Sequence, residues 1–211
     1  MLNKLIFKFG SYLRNDLISQ KYKELKESEK LSIKELEEQQ FLKLKDFLKF
    51  VLKNNEYYKK KFEKFGFEIG SLKSLEDLKK IPILEKEELK KFNSEIQIKK
   101  GFKKLFFSET SGSTGEPLIF YRNMEWDAGH RAAIFRGYSW YDVNPWDKNG
   151  YLWGYNISKI KSTKVKILDL LQNRERIFSY SKKNIEKFAK KTKKWIILKG
   201  IHLLFMKFLK K

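Results

Sequence analysis

Ser108 to Tyr121, SETSGSTGEPLIFY, brings hydroxyls and glycines together in one short stretch between two apolar runs. Glycine allows positive φ and close backbone approach, so consecutive N–H groups around Gly112 and Gly115 can converge on an anion. Thr110, Ser111, Ser113 and Thr114 add hydroxyl donors. That donor set suits a polyphosphate. The same composition also serves as a Ser/Gly hairpin turn with no ligand, because such loops are common punctuation. A Walker A loop is excluded: it needs Gly-Lys-[Ser/Thr] opening a helix. Here Glu116 and Pro117 follow Gly115, and the residues after them favour a strand.

Other chemistry is sparse. The chain has no cysteine, which excludes disulfides, thiol catalysis and Cys-ligated metals. Its two histidines, His130 and His202, are far apart in sequence, so no His-rich metal site is expected. His130 falls on a helical stretch with Trp and Phe neighbours and reads as a packed side chain before a catalytic base. Arg131 and Arg136 on the same stretch can reach phosphate or carboxylate, or pair at the surface.

The elements that must position the loop follow from periodicity. Leu105-Phe106-Phe107 enters it and Leu118-Ile119-Phe120-Tyr121 leaves it, which predicts a strand–loop–strand hairpin. Residues 1–30 read as amphipathic helix, with Leu2, Leu5, Ile6, Phe9, Leu13 and Leu17 at helical spacing and lysines between. Packing on the rest of the protein is its expected role, with attachment to a lipid surface as the alternative. Ser32-Ile33-Lys34-Glu35 is a capping box opening a helix to about Lys53, and Asn54-Asn55 stops it. A second helix over 56–65 would turn Tyr57, Tyr58, Phe62 and Phe65 inward. Ser74 starts a short helix closed by Pro82, and residues 84–92 add a further helical turn or two. Asn123 can cap a helix to about Arg136. Asn149-Gly150 reads as a turn before a strand over 151–155, Asn184 as the cap of a helix to Lys194, and residues 195–198 as the next strand. The alternation of helix with buried strand predicts an α/β fold with a mostly parallel sheet behind a helical N-terminal region.

The composition constrains partners. Net charge is +21, with 47 basic residues against 26 acidic ones, and only six of the basic residues are arginine. Specific nucleic-acid sites favour arginines able to make bidentate contacts beside aromatic platforms. Lysine spread over nearly every polar helix face instead reads as a solvated surface, so no specific nucleic-acid partner is expected. Non-specific attraction to nucleic acid or anionic lipid at low salt remains. Met1–Gly10 threads lysines through its apolar residues and does not resemble a secretory signal. The stretch from Trp195 to Lys211 would span roughly 25 Å as a helix, short of a ~30 Å hydrocarbon core. A cytoplasmic protein, peripheral at most to the inner membrane surface, is expected.

Several stretches together carry a resemblance. Tyr57-Tyr58-Lys59-Lys60-Lys61-Phe62, the run Leu75 to Lys86 (LEDLKKIPILEK), TSGSTGEPL, and Asn144-Pro145-Trp146-Asp147-Lys148 leading to Tyr151-Leu152-Trp153-Gly154 occur in matching order and spacing. The chain thereby resembles the AMP-forming, adenylate-forming ligases, more narrowly the phenylacetate–CoA ligase and CapK-like branch linked to capsular polysaccharide biosynthesis. The similarity runs from about the fortieth residue to the end.

The resemblance implies a two-step reaction. A carboxylate attacks the α-phosphate of ATP, giving an acyl-adenylate and pyrophosphate, and CoA or another acceptor then takes the acyl group. It implies that Thr110, Ser111, Gly112, Ser113, Thr114 and Gly115, within a phosphate loop at 108–117, bind the β- and γ-phosphates, with Mg²⁺ in attendance. It implies that Trp153 and Tyr155 line the acyl pocket, although both also suit an ordinary sheet.

The implied organisation is a helical region over 1–70 and a partial AMP-binding domain over 71–211. The family's adenine, metal and ribose segments and its C-terminal lid have no matching positions, so no catalytic residue can be assigned. Glu116 departs from the lysine or small residue that many members carry there. The expectation is the N-terminal part of such a ligase, inactive alone and little stabilised by ATP. A half-enzyme completed by a separate chain and a non-catalytic basic protein that binds anionic lipid or nucleic acid are the alternatives.

Overall fold

The structure, a computed structural model, describes residues 1–110, 117–152, 159–177, 181–192 and 197–200. They form two compact units, Lys23–His130 and the combination of Met1–Tyr22 with Arg131–Lys211.

The unit Lys23–His130 is built on capped helices. Ser32 and Glu35 form the reciprocal capping box, with Glu35 N donating to Ser32 Oγ at 3.3 Å and Ser32 N to Glu35 Oε2 at 2.8 Å. This opens α3 (Ile33–Asn54), which follows α1 (Leu2–Arg14) and α2 (Leu17–Ser28) in the chain. Asn55 ends α3 and caps α4 (Glu56–Lys64) by accepting Tyr58 N at 3.0 Å. The same buried carboxamide donates to the carbonyls of Glu95 and Ile96 at 2.8 and 3.0 Å, fixing a segment forty residues away to the start of α4.

α4 closes in a Schellman arrangement. Gly66 has φ of 62°, its N–H meets Glu63 O at 3.0 Å, and Phe67 N meets Phe62 O at 2.9 Å. The turn brings the Phe67 ring edge-on to Phe62 with centroids 4.9 Å apart. Leu48, Phe62, Phe67 and Leu72 form the core there. Phe65, expected inside, is exposed instead, because it occupies the cap position where the chain leaves the helix and Phe67 takes the inward place.

Two 3₁₀ turns follow, Ile69–Ser71 and Leu75–Lys80, the second carrying the Ser74–Asp77 capping box. The short helices α5 (Lys86–Lys91) and α6 (Asn93–Ile96) lead to β1 (Leu105–Glu109) and β2 (Ile119–Asn123), which pair antiparallel with Phe107 opposite Tyr121. Asn123 accepts Trp126 N at 2.8 Å and caps α7 (Met124–Ser139).

Residues 1–30 are two helices and not one. Asn15 breaks them: its buried side chain accepts Leu17 N at 3.2 Å in extended backbone. Phe7 of α1 packs on Phe135 and Trp146, with ring centroids 5.4 and 6.0 Å away. Asn144-Pro145-Trp146-Asp147 makes a β-turn, with Asp147 N donating to Asn144 O at 3.0 Å and Pro145 at the position where its fixed φ fits.

The turn feeds β3 (Asn149–Leu152), which α8 (Lys159–Leu171), β4 (Arg174–Arg176), α9 (Lys182–Thr192) and β5 (Ile197–Gly200) follow. All three strands are parallel, in the order β4-β3-β5. Asn149-Gly150 is therefore strand and not turn. The Asn149 carboxamide donates to Asp147 O at 3.1 Å and accepts Arg174 Nε at 3.2 Å, while Gly150 pairs in register with Glu175 and Leu198 on its two sides. Central pairing on both sides overrides the local turn preference.

Candidate functional site

The hairpin that presents the Ser/Gly loop is closed by its own first residue. Thr110 N donates to Leu118 O at 3.0 Å, and Leu118 N donates to Thr110 Oγ1 at 2.9 Å. The side chain of Thr110 thus extends the ladder by one rung and ties the neck. Its hydroxyl proton is still free to be donated, so a second role toward an anion is compatible with the first. Of the six loop residues singled out, Ser111, Gly112, Ser113, Thr114 and Gly115 lie outside the described residues, as do Trp153 and Tyr155.

A set of residues that the sequence reading passed over holds the outgoing strand. Gln97 Nε2 donates to Ile119 O at 3.1 Å, and Gln97 Oε1 accepts Tyr121 N at 3.0 Å. Asn93 Nδ2 also donates to Ile119 O, at 2.9 Å, and Asn93 Oδ1 accepts Gln97 Nε2 at 2.6 Å. One carboxamide thus offers β2 the donor and acceptor that a neighbouring strand would offer. No strand forms at 96–98, and side chains take its place. Both ends of the loop are therefore fixed, Thr110 directly after β1 and Leu118 directly before a β2 held from both sides.

A cleft of about 720 Å³ in the same unit adjoins this clamp, lined by residues 54–57, Lys60, Lys61, Lys64, Phe65, Glu88, Phe92, Glu95 and 97–100. Inside it Lys61 and Tyr57 both engage the Glu88 carboxylate. Lys61 first, then Tyr57, hold that carboxyl below its ordinary range. Burial first, then the Glu88 carboxylate, raise the Tyr57 hydroxyl above its own. Lys99 Nζ lies 4.5 Å over the Tyr121 ring, so cationic charge sits on the strand that leaves the loop. Lysines around a concave surface attract anions and stabilise phosphate nearby.

His130 is exposed and stacked on Trp126 at 5.0 Å with a 15° interplanar angle. Four of the six arginines are engaged on rings: Arg122 over Trp126 at 4.9 Å, Arg136 over Trp140 at 5.4 Å, and Arg174 and Arg176 over Tyr151 at 4.6 and 5.2 Å. Arg176 also grips buried Asp169 through two hydrogen bonds of 3.0 and 3.1 Å. Among the described residues no group of three His, Cys, Asp or Glu side chains can hold a metal.

The strand order supplies a second position. In open parallel sheets ligands bind outside the carboxyl ends of strands where the order reverses. Here β3 is flanked by β4 on one side and β5 on the other, so the reversal falls between β3 and β5. The carboxyl end of β3 is Leu152, directly before Trp153 in the chain.

Compared with solved structures, the chain is similar in fold to part of a CoA ligase, spanning less than half of that protein's length. The structure that shows it is a crystal structure of 2-hydroxyisobutyryl-CoA ligase, in an open conformation and in complex with 2-HIB-AMP and CoA. The likeness has a TM-score of 0.57 at 16% identity, over 82% of this chain and 39% of the ligase chain. No protein-family profile matches the sequence, and no curated protein does.

Proposed function

We propose that this chain is the N-terminal part of an ATP-dependent, AMP-forming carboxylate ligase, in which Thr110 to Gly115 hold the β- and γ-phosphates of the nucleotide. The fold shared with an acid–CoA ligase is the observation that carries the reading. The hairpin supports it locally, because a loop fixed at Thr110 and Leu118 can present preorganised donors at little entropic cost. The donor set of hydroxyls and glycine amides fits phosphate oxygens, and the lysines at 99 and 100 add positive potential. ATP supplies the activated phosphate at which a carboxylate becomes an acyl-adenylate, with pyrophosphate leaving. In this reading Mg²⁺ arrives with the nucleotide's phosphates.

Trp153 and Tyr155, which follow β3 in the sequence, are proposed for the acyl pocket. Transfer to CoA, a place in the CapK-like branch, a role in polysaccharide synthesis and a cytoplasmic location belong to the same proposal, on the strength of the motifs. Completion by a separate C-terminal chain does too.

Phosphorus NMR of ATP titrated with the 211-residue protein tests the nucleotide site. The β and γ resonances are expected to shift saturably, and Ser113→Ala with Thr114→Ala to weaken the effect by about tenfold or more. Binding this weak raises the melting temperature little, because stabilisation grows only as the logarithm of ligand over Kd. Identical titrations for parent and double variant would remove the loop from the site. Carboxylate-dependent exchange of pyrophosphate into ATP, assayed with the complementing segment present, tests the reaction itself.

A further inference from the structure

α1 does not bury its apolar stripe. Leu2, Leu5, Phe9, Tyr12 and Leu13 are 57–68% exposed, and no residue of the helix is fully buried. The spacing 2, 5, 9, 12, 13 places these five on one face, since residues three and four apart are neighbours on a helix. The opposite side holds the helix to its unit through Phe7, on Phe135 and Trp146, and through Lys4, whose Nζ lies 5.4 Å from the centre of the Trp146 ring. A helix that packs on its own protein turns its apolar stripe inward. This one packs through Phe7 and against α8 and still shows a larger apolar face outward.

The charge around that face is of one sign. The helix carries Lys4, Lys8 and Arg14, of which Lys8 borders the face, and no acid occurs before Asp16. The whole chain adds a net charge of +21. Basic residues beside an aliphatic and aromatic face match the anionic headgroups and acyl boundary of a lipid surface. They match nucleic acid poorly: five bulky apolar side chains find no partner on a phosphate backbone, and the arginines at 122, 136, 174 and 176 are stacked on rings. At 13 residues α1 is ~20 Å long, enough to lie in an interface. No described helix is long and apolar enough to cross a membrane.

We propose that α1 is an interfacial anchor that seats Leu2, Leu5, Phe9, Tyr12 and Leu13 in an anionic bilayer surface, with Lys8 at headgroup level. The inference does not depend on the ligase reading. Attachment holds the body of the protein at the membrane while α1 keeps its contact with Phe135 and Trp146, so the exposed and anchored faces act together.

Sedimentation of the 211-residue protein with vesicles tests it. Phosphatidylcholine vesicles containing phosphatidylglycerol are expected to carry the protein down, pure phosphatidylcholine vesicles to carry far less, and added salt to reduce binding. Leu5→Glu with Phe9→Glu, both on the outward face, should lower the vesicle partition by about tenfold or more while the circular dichroism of the protein is retained. Phe9→Trp should show blue-shifted emission quenched by lipids brominated in the acyl chain. Equal binding of parent and double-glutamate protein would assign attraction to diffuse lysine charge and overturn the proposal. So would an absence of binding to either vesicle, or a dimer in light scattering that the double-glutamate variant dissociates. Competition by duplex DNA that leaves Phe9→Trp emission unquenched on vesicles would overturn it as well.

Discussion

Asp77 accepts the N–H groups of Lys73 and Ser74 at 2.7 and 3.0 Å and pairs with Lys80 at 2.6 Å. Those partners, Lys80 foremost, hold its carboxyl at about 2, against an ordinary value of 3.8. A carboxyl with a lowered folded-state value stabilises the fold above its unfolded value, and loses that contribution as pH falls through the folded one. Stability is therefore expected to drop between about pH 4 and pH 2 in part through Asp77, and Asp77→Asn should flatten that segment of a melting-temperature profile. A profile unchanged by the substitution would show that the 3₁₀ turn over Leu75–Lys80 does not depend on the charge. Single residues also decide where arginine is used. Arg174 and Arg176 converge on Asp169 and on the Tyr151 ring, so they organise a sheet edge.

At the scale of elements, Gln97 is the part with the most leverage on the loop. Gln97→Ala leaves Ile119 O with Asn93 alone and Tyr121 N without its acceptor, which is expected to cost about 1–3 kcal/mol. Hydrogen exchange at Tyr121 N–H should accelerate in the variant, and Gln97→Glu, which keeps the acceptor but not the donor, should fall between the two. Protection equal to the parent protein's would mean β2 is held by β1 alone.

Helix starts were legible because one side chain decides each. Ser32 and Asn123 cap the helices that their sequence signals announce, and Asn55, read only as a stop, caps α4 as well. The hairpin was legible from two β-prone runs around a glycine-bearing loop. Other features were not, among them the start of α9, where Ser181 and not Asn184 is the cap and accepts Asn184 N at 3.3 Å. The break at Asn15 depends on a buried side chain folding back on Leu17 N, which periodicity cannot register. Asn149-Gly150 has the composition of a turn, and only pairing to β4 and β5 makes it strand. The clamp at Gln97 is a contact between side chain and backbone across 22 and 24 residues, invisible to any local pattern.

Across the whole molecule, charge is the dominant unspent term. With 47 basic and 26 acidic residues, the folded chain carries self-repulsion that the expanded chain relieves. Salt screens such repulsion over a Debye length of about 8–10 Å at physiological strength. Its melting temperature should therefore rise as sodium chloride is raised from low to physiological concentration, the opposite of the trend expected for vesicle binding. A flat or falling curve in differential scanning fluorimetry would mean that ion pairs such as Lys61–Glu88 outweigh the net charge.

The Gln97 carboxamide has one further effect at this scale. An open sheet margin templates growth because each strand added exposes a new row of main-chain groups. A side-chain amide satisfies one such donor and one such acceptor and carries no new row behind it. The hairpin's outer margin is thus terminated by a stopper, and a highly charged protein keeps its apolar hairpin from polymerising along that side.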